Sequence, residues 1–401
     1  RGTELLNAET LRIGFRLFPL IKRQIQIKEF NLIKPKFHLE RDKEGRFNFE
    51  TPGRDRTKRM PAALESMKNL NISKGSLVYL DKKSGEKIYA GGVDLKIRGV
   101  SLRNNESEPL RNISFSGDVR CRKIETKSFE ISDLKSDIKG ERGLYAASPA
   151  TMKIFGGNGK GNIQIDMTGK IPVYNIHLTA SKFSAEKFLA TLSLKKMMRG
   201  DLNISADLSM KGKSRVEMYK TLNGDFSLRG INLTLLNLDL DQLLSRYEKT
   251  QTFNLVDLGA FLLVGPLGTV VTRGYSFAAV MIDSGKEGTI RNLVSDWRIR
   301  DGVAEAEDVA LATKKTRLAL KGRIDLINNR FQDVTLAVLD GKGCARLSQK
   351  IHGSFRKPRI EKVSKLRTIT GPFLKLLEKT KEFLTGERCE IFYSGSVPHP
   401  E

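Results

Sequence analysis

The chain is poor in the residue types that carry out chemistry. Its four histidines, His38, His177, His352 and His399, are scattered through 401 residues. None stands at ligand spacing from another His, a Cys or an acid, so no pattern for a metal centre is present. Its three cysteines, Cys121, Cys344 and Cys389, make no CxxC pair and are not a zinc site by pattern. In an oxidising compartment Cys344 and Cys389 can pair and leave Cys121 over; in a reducing one all three are thiols. The glycine-rich stretch GGNGKG, Gly156–Gly161, lacks the Ser or Thr after the lysine and the following helix that a phosphate loop needs, and reads as a turn. Asp325, in GRIDL, has no partner carboxylate for acid–base work. These absences read as a protein that is not an enzyme and carries neither a cofactor nor a metal.

Long apolar runs are missing too. None reaches the roughly 18 residues that span a bilayer. The nearest, LGAFLLVGPLGTVV at Leu258–Val271, is broken by Gly265, Pro266 and Gly268, and reads as a buried turn-containing segment or a re-entrant piece. Aromatic residues make up only 7% of the chain, with no RNP-like or helix-turn-helix pattern, which argues against nucleic acid as a partner. The chain begins with Arg1 inside patterned sequence, so an N-terminal signal or anchor is expected ahead of it.

What is plentiful is positive charge and alternation. A formal charge of +24 favours polyanions such as an anionic membrane surface or an acidic glycolipid. Period two dominates the pattern, because successive side chains of a strand point to opposite faces. Ile25–Glu50 alternates in this way about a turn at Asp42–Gly45. The pattern recurs with Val93, Leu95 and Ile97; with Ile113 and Phe115; with Ile163, Ile165 and Met167; with Leu202, Ile204, Ala206 and Leu208; and with Leu318, Leu320, Ile324 and Leu326. Joints at Gly156–Gly157, Gly169, Gly212, Asn223–Gly224 and Asn328–Asn329 suit tight reversals. About twenty strands joined by hairpins, each with one apolar face, predict a mainly β protein built on an antiparallel sheet with one solvated side.

Few helices interrupt it. Ser184 is an N-cap type residue ahead of Phe188, Leu189, Leu192 and Met197 at helical spacing, and LDQLLSRYEK forms a second candidate. A third, Val363–Leu384, sets an apolar stripe that includes Phe373 against Lys and Arg, with Gly371–Pro372 kinking it. It reads either as a helix packed on the end of the sheet or as an interfacial helix at anionic lipid. In the second reading Lys362, Lys365, Arg367, Phe373, Lys375, Lys379 and Lys381 are the membrane or partner contact.

The opening FRLFPLIKRQIQIKEFNLIKPKFHLERDKEGRFNFE resembles the AsmA-like family of bacterial envelope proteins. Pro19, Leu20, Pro35, Arg41, Gly45 and Asn48 stand at the places of its pattern. GGNGKGNIQIDMTG, GDLNISADLSMKGK and LALKGRIDLINNRF are similar to its later repeats, so the resemblance covers nearly the whole chain. It implies a long twisted sheet curled into an open gutter with an apolar floor, similar to chorein-type lipid bridge proteins. Phospholipid or another acyl lipid is then the bound partner, with transfer between inner and outer membrane as the activity. A non-carrying envelope scaffold or assembly factor, working with an envelope partner protein, is the alternative. The implied lining is Ile25, Ile27, Phe37, Leu39, Val93, Leu95, Ile97, Ile163, Ile165, Met167, Leu202, Ile204, Leu208, Leu318, Leu320, Ile324 and Leu326. The implied location is the periplasm, anchored by a preceding transmembrane helix. The implied division is an N-terminal chorein-like region (1–150), a central repeat region (151–250), a C-terminal part of the same sheet (251–360) and an amphipathic helix with a tail (361–401).

Overall fold

The computed structural model describes residues 5–21, 26–48, 68–102, 109–126, 129–191, 198–250, 262, 286–365 and 390–400. Among the described residues the chain is mainly β, and their twenty-one strands are assigned to one sheet. It divides into two compact units, residues 1–183 with 207–218, and residues 184–206 with 219–401.

The first unit begins with β1 (Leu6–Asn7), β2 (Thr10–Phe15), the short helix α1 (Leu17–Ile21), β3 (Ile27–Ile33) and β4 (Lys36–Arg41). β5 (Asn69–Asp81) pairs with both β3 and β4, and it runs parallel to them. The sheet is therefore mixed, which corrects the all-antiparallel expectation; period two reports which face a residue lies on, not the direction of its neighbour. β3 and β4 are one line of pairing broken at Lys34–Pro35, because Pro35 has no N–H to give. Lys34 donates its backbone N–H to Ser73 and Ser76 donates to the Pro35 carbonyl, each at 2.8 Å, which bridges the break.

From there the unit is a meander of consecutive antiparallel strands. They are β6 (Glu86–Leu102), β7 (Ile113–Glu125), β8 (Glu130–Glu141), β9 (Leu144–Ile154), β10 (Gly157–Asp166) and β11 (Val173–Ser184), with α2 (Pro109–Asn112) ahead of β7. Two joints are two-residue loops with both residues at positive φ, Arg142–Gly143 and Phe155–Gly156. That geometry matches the twist of the flanking strands. Within strands, Lys74 and Asp133 also take positive φ, and the register shifts beside each. Such bulges bend a strand and re-aim its side chains.

The second unit contains α3 (Ala185–Thr191), β12 (Met198–Arg199), β14 (Asn223–Leu235), α5 (Leu240–Thr250), and the meander β15 (Gly288–Arg300), β16 (Val303–Ala312), β17 (Arg317–Asp325), β18 (Arg330–Leu339) and β19 (Ala345–Ser354). β13 (Asp201–Lys211) and α4 (Arg215–Lys220) contribute residues to both units. The expected N-cap is present: Lys187 donates its backbone N–H to Ser184 Oγ at 3.2 Å. The helix it starts ends at Thr191, and Leu192 and Met197 lie outside the described residues. α5 covers the second helix candidate and is capped by Asp239, whose Oδ1 accepts from the Gln242 N–H. The β15–β16 joint, Asp301–Gly302, repeats the positive-φ loop. A Cβ on Gly302 would stand 2.2 Å from the Tyr219 carbonyl oxygen.

The expected third helix is corrected where it can be seen. β20 (Lys357–Ile360) and β21 (Ser364–Lys365) both pair with β19. Lys365 is thus in a strand, since the edge of β19 offers backbone hydrogen bonds to a segment that reaches it. Lys362 is exposed, while Arg367, Phe373, Lys375, Lys379 and Lys381 lie outside the described residues.

The last segment, Glu390–Pro400, returns to the second unit. Ile391 bridges to Cys344, and the backbone N–H groups of Phe392 and Tyr393 both donate to the Gly343 carbonyl. Val294, Ala310, Ala319 and Ala337 stand opposite one another along one row. Small side chains there leave room, and Tyr393 and Val397 fill it. Cys344 is disulfide-bonded and Cys121 is a free buried thiol; Cys389, the expected partner of Cys344, lies outside the described residues.

Candidate functional site

Residues directly opposite one another in a sheet share a face, so the registers of the first unit can be followed from strand to strand. One row runs Phe30, Leu70, Ile97, Gly117, Ile138, Ala147, Ile163, Ile176 across eight strands. A second runs Leu32, Ile72, Leu95, Val119, Ser136, Ala150, Gly161, Leu178 across the same strands. A third runs Phe37, Leu77, Ala90, Ile124, Ile131, Ile154, Gly157. Of these twenty-three positions, only Ser136 carries a polar side chain, and its hydroxyl is satisfied by the Asp137 carbonyl at 2.9 Å. The strands thus build three parallel apolar ladders.

These ladders are only partly closed: Ile72, Ser136, Ala150 and Ile154 are buried, and most of the rest is not. Phe30, Leu70, Leu95, Ile97, Val119, Ile124, Ile131, Ile138, Ile176 and Leu178 are all half-buried, and Ile163 is 44% exposed. The neighbouring row on the other face is polar, running Arg98, Ser116, Lys139, Ala146, Gln164, Asn175. Residues of that row line two clefts, of about 800 and 380 Å³. No ladder residue lines either cleft. The three ladders form an extended surface instead, a shape suited to a long flexible molecule rather than a compact one.

Electrostatics agree with a partly dry face. Burial pushes the Tyr145 phenol up, beside Phe115 at a ring separation of 6.1 Å. Burial likewise pushes the Cys121 thiol up. Cys121 stands between Val93 and Leu134, and burial among apolar neighbours disfavours the thiolate.

The second unit differs. Its corresponding row, Leu293, Leu311, Leu318, Val338, Leu347, is 0–7% exposed. Ser295 donates its hydroxyl to the carbonyl of Leu262, a helical and fully buried residue, and Trp297 Nε1–H donates to Ser295 Oγ. Leu202, Leu318, Leu320, Ile324 and Leu326 are 0–6% exposed. They were expected to line an open groove and instead form a closed core, because this part of the sheet is covered on both faces, by elements such as Leu262 on one and the C-terminal tail on the other.

The remaining expected lining residues sort as follows. Leu95, Ile97, Ile163 and Phe37 are ladder members. Ile27 is 7% exposed and sits beneath the surface. Leu39, Val93, Ile165, Met167, Ile204 and Leu208 are half-buried; Leu39 pairs with Tyr79 in β5, and Ile165 pairs with Tyr145 and Tyr174. Ile25 lies outside the described residues. Sequence reasoning missed Leu70, Ile72, Val119, Ile131 and Ile138, whose own alternation in β5, β7 and β8 was the available signal.

The signature residues near the N-terminus have a local role. Arg41 Nε donates to the Gly45 carbonyl at 3.2 Å. The Asn48 side chain accepts from the Glu40 N–H and donates to the His38 carbonyl at 2.7 Å, so it clips the β4 hairpin in place of a strand partner. Asp42, at the turn, accepts the Arg46 backbone N–H, which with the Arg46 guanidinium holds its carboxyl below the usual range.

Fold and face together define a β-sheet protein with a half-covered apolar surface. Among the described residues, no group of three or more His, Cys, Asp and Glu is arranged to hold a metal, and no helix is long and apolar enough to cross a membrane. The AsmA family model matches residues 98–308, just over half of the chain. The chain belongs to the AsmA family, which is consistent with an envelope-related function. No curated protein and no solved structure matches it.

Proposed function

We propose that the apolar face of the first unit holds the acyl chains of lipid, and that the protein is a non-catalytic phospholipid-binding and transfer protein of the periplasm, working between inner and outer membrane. The observation that carries this reading is the contrast in burial between the two units. Most Ile, Leu, Val and Phe positions of the ladders are only half-buried over eight strands in the first, with Ile72 and Ile154 the buried exceptions, while rows of the second are closed. Leaving so much apolar surface wet is unfavourable unless a ligand covers it. An eight-strand row measures about 34 Å at roughly 4.8 Å per strand, which exceeds the roughly 15 Å depth of one leaflet, half of a ~30 Å hydrocarbon core. Each CH₂ fully covered contributes roughly 0.8 kcal/mol, so even a partly covered acyl chain is held by several kcal/mol.

Carriage of this kind needs no catalytic residue and no cofactor beyond the lipid. A preceding membrane anchor and an envelope partner protein complete the proposed route. The test is lipid extraction and native mass spectrometry on protein purified without detergent. Phospholipid or another acyl lipid at a defined stoichiometry is expected. Protein free of any acyl lipid would favour a structural envelope scaffold.

A further inference from the structure

The ladders do not stop at β3. Ile13 of β2 stands opposite Phe30, and Leu11 stands opposite Leu32, so β2 carries the first and second rows one strand further, to an edge of the first unit. There the half-burial gives way to exposure. Leu11, Ile13 and Phe15 are 52, 37 and 47% exposed, and the α1 turn that follows adds Leu17, Phe18 and Ile21 at 78, 86 and 80%. Six large apolar side chains within eleven residues are thus offered to the surroundings.

The segment itself carries only positive charge; the nearest acids already have partners, Glu9 in an ion pair with Lys34 and Glu29, opposite Gly14 on β3, as acceptor from Asn71. Thr10–Ile21 contains Arg12 and Arg16 and no acidic residue, and both arginines are exposed. Arg12 alternates with Leu11 and Ile13 along the strand, so its stem flanks the apolar row while its guanidinium points away from it. This is the arrangement of an interfacial element: apolar tips enter the acyl region, and long cationic side chains reach back to the headgroups. A folded protein partner would need a pocket fitted to Leu17, Phe18 and Ile21 on one short helical turn, whereas a fluid hydrocarbon surface conforms to any such projection.

We infer that the β2–α1 edge is a docking surface for a lipid bilayer with anionic headgroups, joined without interruption to the apolar ladders. This goes beyond lipid carriage by the ladders: docking is read by vesicle binding, carriage by bound lipid, and each can fail alone.

The experiment is flotation of the purified chain with phosphatidylcholine vesicles, with and without phosphatidylglycerol. The variant Leu17→Glu/Phe18→Glu/Ile21→Glu changes only highly exposed side chains, so its circular dichroism and melting temperature should match the parent. Its vesicle binding is expected to fall at least about tenfold, with its content of co-purified lipid unchanged. Arg12→Gln/Arg16→Gln is expected to lose the preference for phosphatidylglycerol while still binding. Unchanged flotation of the triple variant would overturn the assignment. So would a parent chain that ignores vesicles but is dimeric in solution, with the triple variant monomeric; the patch would then belong to a second copy.

Discussion

Tyr393 donates its phenolic hydrogen bond to Asp308, eighty-five residues away in sequence, at 2.5 Å. The same carboxylate accepts from the Ser396 backbone N–H and hydroxyl, while Arg317 donates to the Val397 carbonyl and stacks on the Tyr393 ring. One acid and one guanidinium from the sheet therefore fix a tail that has almost no strand pairing of its own.

That network makes the tail sensitive to alkali. Burial, and then the hydrogen bond with the Asp308 carboxylate, raise the Tyr393 phenol far above the ordinary value, which is about 10. A raised folded-state pKa means that the neutral phenol stabilises the fold. The contribution is complete below about pH 10 and is lost as pH rises above it. Ultraviolet titration should show one tyrosine ionising after the rest, together with a melting temperature that falls above pH ~10. Tyr393→Phe should abolish the last ionisation and cost about 2–4 kcal/mol, because it removes the bond to the Asp308 carboxylate and leaves the buried Val397 N–H without its acceptor.

The two units should answer differently to the same insult. Leu318→Asp places a carboxylate where the side chain is fully buried, and desolvation without a partner costs several kcal/mol; chemical denaturation should show a grossly destabilised or unfolded second unit. Ile163→Asp, at a position 44% exposed, leaves the charge in reach of water and should shift stability by less than about 1 kcal/mol. Equal destabilisation by the two would mean that both faces are closed cores.

Much of this architecture was legible in the chain. Val93, Leu95 and Ile97 alternate with Asp94, Lys96 and Arg98 because period two is local, and the hairpin joints announce themselves in Gly and Asn. What alternation cannot report is what lies above a face. Leu318 and Leu95 sit in equally regular patterns, yet one is sealed and the other half-open, because cover comes from residues distant in sequence. Tyr393 and Val397 show the same limit: nothing in the tail's composition names the alanine row it fills. The parallel pairing of β5 and the bulges at Lys74 and Asp133 were hidden for a related reason. Direction and register are properties of pairs of strands, and a single positive-φ Lys or Asp leaves no mark on the pattern.

The Asn48 clip gives a compact test of the N-terminal signature. Asn48→Ala removes one acceptor for the Glu40 N–H and one donor to the His38 carbonyl, leaving two half-buried backbone groups short of partners. A loss of about 1–3 kcal/mol is expected. Hydrogen exchange should rise at Glu40 and its neighbours in β4 while the β15–β19 meander stays protected. Asn48→Asp should restore the acceptor alone and recover part of the protection at the Glu40 amide.

Adjacent residues on opposite faces give the most direct check of the ladders. Ile97 lies in the middle of the first row, between Leu70 and Gly117, whereas Lys96 points to the solvated face and is exposed. Ile97→Asp sets a charge among acyl chains if lipid lies there, and a carboxylate in such surroundings costs several kcal/mol unless it reaches water. In the lipid-free protein the half-buried position lets it do so. The variant should therefore keep its circular dichroism spectrum and lose most co-purified lipid, while Lys96→Ser keeps both. Retention of full lipid content by Ile97→Asp would place the lipid elsewhere on the molecule. Loss of folding in the lipid-free variant would instead show that the ladder face is packed as core, and the proposal of carriage would lose the burial contrast on which it rests.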